Sequence, residues 1–268
     1  MNAFTINDKS LLDSYIEIEK LKGTLKIFIK RIPFTIRTKV ECTDKEFDSL
    51  LSFLRKISNR QTNSLEWANR NNSFKIIAEY DTCTYNDIAL RFVVITKYYT
   101  GSIHLDIGAD YLMECINQDC SSLICHDNLS FLEGFEGMID LSLKFIDKKQ
   151  YEDCLNFNYE LRAAANDFIV EKKISMLEEE YIDICEGIKE LLSFGTPYAI
   201  KLPDSFDAFW LRRKNDYYIL EDGWVADLEW KQNEIVFKRL LVASETLVSL
   251  YQSLKKSNIA HTGSPVSI

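Results

Sequence analysis

The sequence predicts an α+β protein built as two tandem related modules, each an antiparallel sheet with two helices packed on one face. Three observations lead there. Short runs alternating apolar and polar residues, the period of a half-buried strand, fill most of the chain. Two amphipathic stripes of helical period match at a separation of 134 residues: Phe47, Leu50, Leu51, Leu54 and Ile57 correspond to Tyr181, Ile184, Cys185, Ile188 and Leu191. The ends of the halves align again at 135, Leu105 with Leu240, Ile107 with Val242, Leu112 with Leu247 and Ile116 with Tyr251. Self-similarity at a nearly constant offset is the mark of a duplicated unit. The expected division is a first module over 1–122, a connecting segment over 123–137, a second module over 138–256 and a disordered tail over 257–268.

Residues 1–14 open polar, and the alternation from Leu12 to Glu19 gives the first strand. Lys22-Gly23 turns it. Leu25, Ile27 and Ile29 share one face of the next strand, and Phe34, Ile36, Thr38 and Val40 one face of a third, with Pro33 at the break. Thr43 followed by Glu46 is a capping box for a helix whose apolar stripe runs from Phe47 to Ile57. A polar loop over Ser58–Asn72 holds Trp67, read as an anchor packed beneath it. Strands resume at Phe74–Tyr80, Ile88–Ile95 and Ile103–Ile107, and a helix over Tyr111–Gln118 closes the module. His104 alternates with the apolar residues of its strand and is expected to face solvent, with no catalytic neighbours. Phe131, Leu132 and Phe135 make the connecting segment too apolar for a free linker, so it should pack between the modules.

The second copy repeats the order. Met138–Phe145, Leu155–Arg162 and Asp167–Ile174 stand for its first strands, and Ser175 or a neighbour opens its helix, whose stripe extends to Leu192. Gly195-Thr196-Pro197 ends that helix. Further strands are expected at Tyr198–Leu202, Phe206–Arg212 and Tyr217–Glu221, then, after a turn at Asp222-Gly223, Val225–Trp230 and Ile235–Leu241.

The chain carries 41 acidic against 32 basic residues, a formal charge of -9. A surface of that sign is unsuited to binding phosphate backbones directly, and it steers basic partners. No basic leader precedes an apolar run, and no segment approaches 18 apolar residues, so a cytoplasmic protein without membrane contact is expected. Seven cysteines, odd in number and set mostly in apolar segments, fit reduced thiols packed as small hydrophobes. Cys115, Cys120, Cys125 and His126 cluster, but at steps of five that do not match zinc-ligand pairs; no metal or cofactor is expected.

Three of the four tryptophans fall among carboxylates in the second module. Asp204, Asp207 and Trp210, then Glu221, Asp222, Trp224, Asp227 and Glu229, form the candidate partner-binding set, since aromatic side chains ringed by acids suit a hot spot for a basic protein. Alternation over Val225–Trp230 places Trp230 on the apolar side. Nucleophile, phosphate-loop, dinucleotide and zinc-protease motifs are absent, which argues against an enzyme. A metal-dependent reaction using Asp222 and Asp227 is the residual catalytic alternative.

Across Gly23–Gln118 the order of strands, the Leu51-Ser52-Phe53-Leu54 segment within a Leu/Phe-rich helix, and Gly101-Ser102-Ile103 before a final amphipathic helix resemble the WapI-type immunity proteins of bacterial polymorphic toxin systems. Each half carries the likeness once. The resemblance implies a non-enzymatic protein that binds a cognate toxin domain and blocks it, and the acidic charge suits a basic one. A sensor or adaptor in phage defence, also a protein binder, is the alternative.

Overall fold

The structure, a computed structural model, describes residues 3–11, 13–62, 64–80, 86–117, 137–151, 154–202, 207–226 and 233–259. The fold is α+β, with mostly antiparallel sheet and, among the described residues, four helices. The chain forms two compact units, one from residues 1–130 with 232–234 and the other from 131–231 with 235–268. No helix among the described residues is long and apolar enough to cross a membrane.

In the first unit β1 (Ala3–Asn7), β2 (Tyr15–Leu21), β3 (Thr24–Arg31) and β4 (Phe34–Glu41) form an antiparallel meander. Alternation dictates it. Ile18 opposes Ile27 and Ile16 opposes Ile29, so one face of the meander is a continuous apolar layer. Strand β1 was not expected, because Phe4 and Ile6 are its only large apolar residues. Both are fully buried, paired to Ile18 and Ile16. The next strand accordingly starts at Tyr15 rather than Leu12.

Helix α1 (Asp44–Ser58) begins at the expected box. The Thr43 hydroxyl accepts from the Glu46 N–H at 3.3 Å, and the Glu46 carboxylate accepts from the Thr43 N–H at 2.7 Å and from the Arg70 N–H at 2.8 Å. Hydrogen bonds from Thr43 hold the Glu46 carboxyl below the usual carboxylate range. The folded-state pKa being depressed, this contribution is present above the unfolded value and lost as pH falls through the folded one. Thr43→Ala should therefore lower stability by about 1 kcal/mol in urea denaturation at neutral pH, with a smaller difference in acid.

A second antiparallel meander follows: β5 (Glu66–Ala68), β6 (Phe74–Tyr80), β7 (Asp87–Ile95) and β8 (Tyr99–Gly108), closed by α2 (Ala109–Asn117) against α1. Trp67 is an anchor, on the short strand β5 rather than in a loop, edge-on to Phe74 at 6.2 Å between ring centroids. His104 corrects the solvent-facing expectation, for it is only 7% exposed. It does lie on the face opposite the apolar layer, but its own position is screened: Arg91, directly across on β7, reaches Ser102 at 2.6 Å, and Asn233 meets the strand edge, accepting from the His104 backbone N–H at 2.8 Å.

The second unit runs β9 (Met138–Tyr151), β10 (Cys154–Ala165), β11 (Phe168–Leu177), α3 (Glu178–Phe194), β12 (Tyr198–Leu202), β13 (Asp207–Lys214), β14 (Tyr217–Ala226), β15 (Glu234–Ala243) and α4 (Ser244–Ile259). Its pairs are antiparallel except where β15 meets β9, Val242 opposite Ile139. After β1, both units share one order: three strands, helix, four strands, helix.

Several expectations are corrected here. Ser175 lies inside β11, and α3 starts three residues later, with Glu180 accepting from the Leu177 N–H at 2.7 Å. Cys185 and Leu192 sit at the margin of the α3 stripe, half-buried, while Tyr181, Ile184, Ile188 and Leu191 form its core. Asp222-Gly223 is no turn. Strand β14 continues through it as a bulge, two residues opposite Phe209, with Asp222 at φ 49° and Gly223 so close to Leu220, Phe237 and the Ala208 carbonyl that a side chain would collide. Helix α4 runs on to Ile259, past the expected start of the tail; residues 260–268 lie outside the described ones. Of the cysteines, Cys42 and Cys115 are buried, and burial pushes the Cys42 thiol up to about 11, whereas Cys154 is exposed, against expectation.

Candidate functional site

The outer face of β12, β13 and β14 follows from strand period. Ala199, Trp210 and Glu221 stand opposite one another across the three strands, while half-buried Tyr198 and buried Leu211 and Leu220 form the inner row beside them. Trp210 is therefore held outward at mid-strand, 43% exposed. Glu221 accepts two hydrogen bonds from Arg212, both 2.9 Å, and Arg239 lies 3.6 Å away. The Arg212 bonds hold its carboxyl below the ordinary range, so this acid is internally neutralised.

The expected ring of carboxylates is thus only partly brought together. Asp222 is exposed at the bulge and Trp224 is half-buried opposite Ala208. Asp204, Asp227, Glu229 and Trp230 fall outside the described residues, as does the side chain of Asp207. Cys120, Cys125 and His126 do likewise, and most of the connecting segment with them. Among the described residues no group of three His, Cys, Asp or Glu side chains could hold a metal ion.

A denser acidic surface lies on α3, which sequence reading passed over. Its stripe of Tyr181, Ile184, Ile188 and Leu191 faces inward, so helical period turns Glu178, Glu179, Ile182, Asp183, Glu186, Lys189, Glu190 and Phe194 outward, five acids to one base. Ile182 is 46% and Phe194 83% exposed. None of Glu178, Glu179, Glu186 and Glu190 has an ion pair among the described residues. Asp183 accepts from the Tyr198 hydroxyl at 3.0 Å; burial, then this bond, raises the phenol pKa. Tyr198 belongs to the inner row, so α3 and Trp210 lie on opposite faces of β12–β14. The signal was available: Glu178-Glu179-Glu180 and the acids that follow occupy the positions the apolar stripe leaves.

The first unit holds a cleft of about 650 Å³ beside β1 and across β6–β8. Its floor is Ala89, flanked across strands by Glu79 and Asp106. The Lys9 ammonium meets Asp87 at 2.6 Å, and His104 Nε2 meets Asp106 Oδ1 at 3.1 Å. The bond from His104 keeps the Asp106 carboxyl below its usual value. His104 therefore has one carboxylate partner, Asp106.

No protein-family model matches this chain, and no curated protein or solved structure matches it significantly.

Proposed function

We propose that this chain is a protein-binding inhibitor of the kind its resemblance implies, an immunity protein that captures and neutralises a basic toxin domain on the outward face of α3. One observation supports this above the others. Five carboxylates, against the single cation Lys189, and two exposed apolar side chains, Ile182 and Phe194, share the helix face opposite the buried stripe. Unpaired acids there raise the rate of encounter with a basic partner, and Phe194 supplies the aromatic anchor that such an interface needs. The net charge of -9 acts in the same direction.

The test is co-expression with the toxin domain encoded beside this gene. The wild-type chain should restore growth and bind the domain stoichiometrically, and Glu186→Lys with Glu190→Lys should slow association by about tenfold at low salt. Loss of binding in Trp210→Ala with the α3 variant unaffected would move the docking surface to the other face. Absence of any complex would end the immunity reading.

The same reading takes the two units as copies of one ancestral element. Supporting it are the shared element order and the burial of matched positions: Phe47 and Tyr181, Leu50 and Ile184, Leu54 and Ile188, Ile57 and Leu191, Leu105 and Leu240, and Leu112 and Leu247 are buried in both.

A further inference from the structure

We infer that the outward face of β12–β14, on the side away from α3, is a docking surface for single-stranded nucleic acid, with Trp210 as its stacking platform. The inference goes beyond toxin capture and does not depend on it. Strand alternation sets the face. Trp210, Arg212 and Lys214 are successive outward positions on β13, spaced by one pleat of about 6.8 Å. Ala199 stands opposite Trp210 on β12, where a methyl group leaves the flank of the indole open, and Lys201 is the next outward residue of that strand. Tyr217, across from Lys214, is 40% exposed and Trp210 43%.

Charge is the second observation, and its sign is opposite to that of the chain. Lys201, Arg212, Lys214 and Arg239 surround one carboxylate on this face, Glu221, while Asp216 and Asp222 lie at its margins, in the β13–β14 turn and at the bulge. The Arg212 bonds hold the Glu221 carboxyl down, and Arg239 and Lys214 add to the pull, so one acid is shared among three cations. The acids behind the net charge of -9 include the five on α3, across the sheet. An unfavourable net charge therefore does not bar phosphate from the Trp210 side.

Rings set among cations select the ligand. A sheet face that interleaves exposed aromatic side chains with lysine and arginine lets bases stack while their phosphates meet the charges. Helices packed on the opposite face leave such a sheet open to an extended strand. An acidic peptide would answer the cations alone and leave Trp210 and Tyr217 in water. Duplex is disfavoured, since its bases are already stacked on one another and offer no free face to an indole.

Fluorescence anisotropy of a fluorescein-labelled dodecathymidylate titrated with the whole chain tests this. Saturable binding is expected at low salt, with log Kd rising by about 2–3 for each tenfold increase in salt, as neutralising three to four phosphates of a single strand requires. Trp210→Ala should weaken binding about tenfold and keep that slope, because it removes stacking and no charge. Lys201→Gln with Lys214→Gln should instead lower the slope by about 1.4. Phe194→Ala, on the α3 side, should bind as wild type does. Dodecauridylate in the same assay assigns RNA if it binds tighter and DNA if it binds more weakly, both in support. No saturable binding at low salt, wild-type affinity in Trp210→Ala or an unchanged slope in the lysine variant overturns the proposal. Displacement of the oligonucleotide by polyglutamate at equal charge also overturns it and makes the partner an acidic protein. Toxin capture on α3 is read separately, as rescue of growth, and stands or falls without reference to these results.

Discussion

Asp8→Asn should lower the stability of this protein by about 3–5 kcal/mol, the largest effect expected of any single substitution discussed. Its carboxylate is fully buried and completely used. One oxygen accepts from the Ser10 N–H at 2.8 Å, the Ser10 hydroxyl at 2.7 Å and the Leu11 N–H at 2.9 Å; the other accepts from the Asp106 N–H at 2.9 Å and from Arg31 at 3.2 Å. Each contact ties a different piece of chain: the β1–β2 connection, β3 and β8. Asparagine keeps the shape but replaces one acceptor by a donor, which must then face donors. It also strips Arg31, itself buried and with an unpartnered Nε, of its counter-charge. Leaving a buried guanidinium uncompensated is the dominant cost. Urea denaturation should show a lower midpoint at an unchanged slope. Arg31→Met in the same chain should recover part of the loss, because it removes the charge left behind. Asp13→Asn, at an exposed position in the same connection, should stay within about 0.5 kcal/mol of wild type. A change of under 1 kcal/mol for Asp8→Asn would show that water, not Asp8, satisfies these donors.

That carboxylate also marks where sequence reading stopped. Strand and helix stripes are periodic, and period survives in the sequence: β6 and β12 fall where alternation puts them, and α1 opens on Thr43 because a capping box is a local motif. Asp8 has no such trace. Its importance comes from β8 lying beside the connection it organises, a pairing 98 residues distant that nothing near Asp8 encodes. His104 failed similarly, since alternation placed it on the correct face but could not show that Asn233, 129 residues on, abuts its strand. At Asp222-Gly223 the reading had the right conformation and the wrong context. A left-handed residue before glycine serves a turn or a bulge equally, and pairing on both sides decides which. The candidate surface was half legible: Trp210 is outward as a hot spot requires, yet its acidic neighbour Glu221 is bound to arginines that sit on strands β13 and β15 and are unremarkable in sequence. On α3 the acids were plain, but only the burial of the opposite stripe shows that all of them face one way.

A second large effect is expected on that helix, with a sign that its neighbour controls. Gly187 lies against the ring of Tyr198, and a Cβ built there would fall within the ring's Cε2, Cζ and Cδ2 contact surface. The ring is not free to retreat, because its hydroxyl donates to Asp183 one helical turn back, so Tyr198 lies across α3 as a strut between Asp183 and Gly187. Gly187→Ala should cost about 3 kcal/mol in overpacking, offset by about 1 kcal/mol of improved helix propensity, for a net loss of roughly 2 kcal/mol. The two terms separate in a double-mutant cycle. In a Tyr198→Leu background the steric cost disappears and only the propensity gain remains, so the same alanine should become neutral or stabilising by up to about 1 kcal/mol. Tyr198→Phe, which keeps the ring but releases it from Asp183, should fall between the two. If alanine costs the same in all three backgrounds, the glycine serves the helix backbone and not the strut.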